Sequence, residues 1–80
     1  MMKRGLSVLE DLHHEGPATR KQLWLRNPVC SWEMFKRLIG RLTVDGLIHR
    51  ELATPERTDP GKDLFVLTAE GKEVVESFRD

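Results

Sequence analysis

Near the start of the chain, apolar residues recur at Leu6, Val8, Leu9 and Leu12, the spacing of a helix with one greasy face, before Gly16-Pro17 interrupts the pattern. A first helix is predicted from about Lys3 to Glu15. Thr19 and Gln22 stand three residues apart, where each side chain satisfies the other's backbone N–H, and Leu23 follows as an inward anchor. The short helix they open should stop near Arg26, because Pro28 disfavours helical geometry at Asn27 and offers no donor. Ser31 reads as an N-cap, Glu33 sits where the helix dipole favours an acid, and Phe35, Leu38, Ile39 and Leu42 repeat at three-and-four spacing. That third helix, about 31–45, should close before Gly46, a residue suited to the left-handed conformation that ends a helix. Two strands, 47–53 and 63–67, then flank a loop containing Pro55, Asp59, Pro60 and Gly61. Thr68 caps a last helix in which Val74, Val75 and Phe78 are expected to face inward.

Three helices, a hairpin and a closing helix are the element order of a winged helix-turn-helix. The fold class is α+β, mainly α, with a three-helix core, a β-hairpin wing and a C-terminal helix. Eighty residues suffice for one such domain, 1–80, and not for a catalytic unit beside a binding unit. The apolar fraction of 39% and charged fraction of 32% are those of a folding globule. No apolar run approaches the roughly 18 residues of a membrane span, and no signal-peptide block follows the first residues, so a cytoplasmic protein is expected. A single cysteine, Cys30, agrees with a reducing compartment.

The net charge is zero, which is unusual for a protein that grips phosphates, yet the charges are unevenly spread. Between Thr19 and Leu42 there are six cations (Arg20, Lys21, Arg26, Lys36, Arg37, Arg41) and one acid, Glu33. Acids prevail elsewhere, most clearly after Thr43, where nine face five cations.

Several blocks resemble a known family. Val8-Leu9-x-x-Leu12, Gly16-Pro17-x-Thr19-x-x-x-Leu23, Arg37-Leu38-x-x-x-Leu42-x-x-x-Gly46-Leu47-Ile48-x-Arg50 and Leu67-Thr68-x-x-Gly71 are similar to the pattern of MarR-like and PadR-like winged-helix transcriptional regulators. The resemblance implies a third helix in the major groove of double-stranded DNA, a second helix whose start approaches the backbone, and a wing, about 54–62, at the minor groove. It covers nearly the whole chain, with two departures. The resemblance implies long helices at both ends that build a dimer, whereas these eighty residues extend hardly beyond the matched blocks, and the wing position where the family has an Arg two residues after an Asp is Gly61 here, leaving Arg57 or Lys62 to serve.

With Phe35, Leu38, Ile39 and Leu42 turned inward, the outer face of the third helix and its margins carry Ser31, Trp32, Glu33, Lys36, Arg37 and Arg41. Arg37 is the candidate for bidentate contact with guanine, Lys36 for a base or a phosphate, and Ser31 with the helix-start N–H groups for a phosphate. Arg20 and Lys21 are placed for the backbone, which positions without reading sequence. Glu33 either accepts from a cytosine amino group or repels phosphate. Trp32 is read both as part of this face and as cover for the core edge, Trp24 as core, and Arg41 as a partner for Asp45 one turn on.

His13, His14, His49 and Cys30 have no zinc-ligand spacing, and neither a nucleophile motif nor an evident acid pair is present, so neither cofactor, metal nor enzymatic activity is expected. The expected function is duplex DNA binding by a transcriptional regulator. A homodimer would need a palindromic site with half-sites about 10 bp or a multiple apart, and would pair through the first helix and the Val74, Val75 and Phe78 region. The alternative is a protein-binding winged helix, a small regulator or inhibitor of the kind a mobile element encodes. Its grounds are the neutral total charge, the altered wing, the acidic last helix and an exposed Trp32.

Overall fold

A computed structural model of the chain describes residues 3–51 and 62–78. The elements run α1 (Lys3–Glu15), β1 (Ala18–Thr19), α2 (Arg20–Arg26), α3 (Trp32–Val44), β2 (Ile48–Glu51), β3 (Leu64–Leu67) and α4 (Ala69–Ser77). This is the mainly helical winged-helix order expected from the sequence, with one addition. The sheet has three antiparallel strands in the order β1-β3-β2, Ala18 lying opposite Phe65 and Ile48 opposite Leu67. β1 is only two residues long, too short for an alternating pattern to announce it. It exists because β3 has an edge to offer on the side away from β2.

Local chemistry sets the helix ends. Thr19 and Gln22 form the reciprocal capping box of α2, with both bonds made at 2.9 and 3.2 Å. The Ser31 hydroxyl accepts from the Met34 N–H, and that of Thr68 from the Gly71 N–H. α3 closes in a Schellman turn: the Gly46 N–H donates to Thr43 O at 3.1 Å and the Leu47 N–H to Leu42 O at 3.0 Å, with Gly46 at φ 77°.

Val8, Leu9 and Leu12 of α1, Leu23 of α2, Phe35, Ile39 and Leu42 of α3, and Val75 of α4 meet Ala18, Ile48 and Phe65 of the sheet in one buried cluster. Leu6 and Leu38 lie at its margin, half-buried. The last helix departs from expectation. Val75 is fully buried and Val74 half-buried, but Phe78 is 57% exposed, because α4 ends at Ser77 and Phe78 serves as its C-cap. Of the region offered for pairing two copies, therefore, Val75 is consumed by the protein's own core. The strands are also shorter than expected. Leu47 belongs to the turn that closes α3, Asp63 precedes β3, and Leu52 and Ala53 lie outside the described residues, as does the predicted wing except Lys62.

A polar cluster ties α1 to α2. Asp11 takes both Nε and Nη2 of Arg26 at 3.1 and 2.7 Å and also accepts from the Asn27 amide at 2.7 Å. The Ser7 hydroxyl in turn donates to the side-chain Oδ1 of Asn27 at 2.9 Å. Asp11 and the Asn27 side chain are thus both partnered in this partly covered seam, tying α1 to the end of α2.

Candidate nucleic-acid interface

Because Phe35, Ile39 and Leu42 are buried, the helical repeat turns Glu33, Arg37, Gly40 and Val44 directly away from the core, and all four are exposed. Lys36 and Thr43 flank this stripe on one side, half-buried, and Met34 and Arg41 flank it on the other, exposed. The acidic α4 packs chiefly against α1 and β3, which leaves the outer stripe of α3 open.

The cations of the basic segment divide into committed and uncommitted ones. Arg26 is held by Asp11, Lys36 pairs with Glu33 at 3.1 Å, and Arg41 pairs with Asp45 at 3.3 Å, as its spacing suggested. The two pairs within α3 and its cap, Lys36–Glu33 and Arg41–Asp45, contribute about 0.3–0.5 kcal/mol each and yield readily to a stronger anion. Arg20, Lys21 and Arg37 make no ion pair among the described residues. The Arg20 Nε is shielded from solvent and has no acceptor there.

Arg20 and Lys36 converge with a residue absent from the sequence-derived set. Together with Arg50 of β2 they line a cleft of about 200 Å³ between the start of α2, α3 and the sheet, and Thr43 contributes to its wall. Arg50 is held by Asp63, with Nε to Oδ2 at 2.6 Å, an ion pair without hydrogen-bond geometry; Asp63 is 3% exposed. The clue in the sequence is the alternation: Arg50 is two residues from the buried Ile48, so a strand puts both on one face, where the exposed Arg50 can answer the buried charge of Asp63.

Ser31 caps α3, and its hydroxyl accepts from the Met34 N–H at 3.3 Å. Trp32 is half-buried against Trp24, so it does cover an edge of the core. Trp24, expected in the core, is likewise half-buried, and its indole N–H donates to the Cys30 carbonyl at 2.9 Å. Lys62 is exposed ahead of β3, and Arg57 lies outside the described residues. Among the described residues no cluster of three or more His, Cys, Asp and Glu side chains is arranged to hold a metal ion, and no helix is long and apolar enough to cross a membrane.

A surface helix behind a capped short helix, flanked by a small antiparallel sheet, defines a winged helix-turn-helix. No family model matches the sequence, and no curated protein matches it. Solved structures do. A transcriptional regulator from Thermotoga maritima is 27% identical with a TM-score of 0.77, over 94% of this chain and 50% of its own. A MarR family transcriptional regulator from Silicibacter pomeroyi is 27% identical with a TM-score of 0.76, over 94% and 47%. A MarR family regulator from Neisseria meningitidis is 25% identical with a TM-score of 0.76, over 96% and 54%. This chain has the MarR-like winged-helix fold, and it spans about half the length of these structures.

Proposed function

We propose that the protein binds double-stranded DNA and regulates transcription, with α3 in the major groove and the segment between β2 and β3 near the minor groove. The observation that carries this reading is the open outer stripe of α3 with Arg37 in it and Arg20 and Lys21 nearby, three cations that make no ion pair among the described residues, on a fold shared with transcriptional regulators. Arg37, at the centre of the stripe, contacts a guanine edge, and exposed Val44 suits the methyl group of thymine. Arg20, Lys21, Lys36 and the Ser31 end of α3 take backbone phosphates, with Arg50 on the wall of the cleft. Arg41 and Lys62 extend the basic rim, Arg57 is assigned by the sequence resemblance alone as a wing contact, and Glu33 discriminates by accepting from cytosine or by opposing phosphate.

The test is affinity for duplex DNA from upstream of the protein's own gene, measured for the native protein and Arg37→Ala. A bidentate guanine contact is worth about 1–3 kcal/mol of discrimination, so the variant should lose more than about 1 kcal/mol on its site and little on unrelated duplex. Equal losses on both would make Arg37 a phosphate ligand. No binding at low salt would remove the reading and leave the protein-binding alternative, which draws on the exposure of Leu25 (63%) and Val44 (82%).

A further inference from the structure

Two tryptophans sit where α2 and α3 meet, and two cations, Arg20 and Lys36, approach one of their rings. Trp24 is anchored across the turn between the helices by its bond to the Cys30 carbonyl. Trp32, the first residue of α3, packs on it with ring centroids 5.3 Å apart and planes tilted by 54°. The Arg20 guanidinium carbon lies 5.8 Å from the centroid of the Trp32 ring, and the Lys36 ammonium 5.9 Å. Both are at the outer edge of the range of about 6 Å over which a ring face attracts a cation. Lys21 forms, with the two indoles, the wall of an adjoining cleft of about 270 Å³.

A long cationic side chain loses rotamer freedom when it fixes on a phosphate, and that loss weakens binding. An aromatic face that already holds the cation removes part of the loss before DNA arrives. Packing alone does not require this arrangement. Both indoles are only half-buried, and the Arg20 Nε is enclosed with no acceptor among the described residues. Arg20 opens α2 and Lys36 belongs to α3, so one ring joins cations from two helices.

We propose that the Trp24–Trp32 pair is an aromatic platform that holds Arg20 and Lys36 as a two-helix clamp for neighbouring backbone phosphates, with Lys21 at its edge. Trp32 is the positioning residue, and Trp24 fixes Trp32. The inference rests on the DNA-binding reading. It is independent of base sequence, since phosphates are alike along the duplex.

The experiment is a double-mutant cycle on the full chain, using mixed-sequence duplex DNA at low salt. Lys36→Gln should weaken binding by about 5-fold in the native background and by less than about 2-fold once Trp32→Leu has removed the ring. Arg20→Gln should behave in the same way, and Trp32→Phe, which keeps a ring face, should preserve the native response. Equal losses in both backgrounds overturn the proposal, because a Trp32 that only packs has no reason to couple to Lys36. Should Trp32→Leu fail to fold, upfield ring-current shifts of the Lys36 ε and Arg20 δ protons in the native protein decide, and their absence overturns the platform. If the native protein binds no duplex at all, the functional reading fails, while the same proton shifts still judge whether the platform exists.

Discussion

Gly71 lies where the first turn of α4 rides over the end of α3. A Cβ there would meet the Leu47 carbonyl oxygen and approach Leu67 Cδ1 to 2.7 Å. The Thr68 hydroxyl donates to Gly46 O at 2.6 Å and accepts from the Gly71 N–H at 3.0 Å, while the Thr68 N–H reaches Leu47 O at 3.2 Å. The Leu67-Thr68-x-x-Gly71 block is thus a joint between two helices and the sheet, and not a contact surface. Gly71→Ala should cost about 1–3 kcal/mol, since backbone must shift to admit the methyl group. In a thermal melt that is a fall of about 4–8 °C per kcal/mol for a domain of this size. An unchanged melting temperature would mean the joint is looser than its geometry indicates.

At the scale of elements, α3 contains a residue that the fold itself does not need. Gly40 is exposed in mid-helix, and a Cβ added there meets nothing within 4 Å. Glycine costs a helix interior about 0.8–1 kcal/mol relative to alanine, so Gly40→Ala should stabilise the protein by roughly that amount. On the DNA-binding account the bare backbone lets α3 approach a groove closely, and the same variant should bind duplex DNA more weakly. Paired melting and binding curves check both directions, and a variant that is more stable with unchanged affinity would separate Gly40 from the interface. The helices were legible in the sequence because their ends are written locally: Thr19 with Gln22, Ser31, Gly46 and Thr68 all act within a few residues. Contacts made across the fold were not. That Arg50 meets Asp63 depends on the hairpin register, and that Trp24 meets Trp32 depends on the turn between α2 and α3. Periodicity fixes neither. Phe78 misled for a related reason, since its spacing from Val74 and Val75 suits an inward face only if the helix continues past Ser77.

For the whole molecule, zero net charge conceals a division between a basic α2–α3 segment and an acidic remainder. Charge separated in this way orients a protein as it nears DNA, because the potential over one face outweighs the sum. Counting Arg20, Lys21 and Lys36 as the phosphate contacts, log K should fall against log salt with a slope of about −3 per bound chain, at roughly −0.9 per phosphate neutralised. A slope near zero would show that the basic face is not the one that binds. Backbone amide shifts during titration with DNA from upstream of the gene test whether the face built by the start of α2 and the outer stripe of α3 meets the duplex. The account predicts that the amides of Arg20, Lys21 and residues 31–41 move together and saturate, while those of α4 stay in place. Shifts centred on α4 and Phe78, with the α3 amides unmoved, would contradict it.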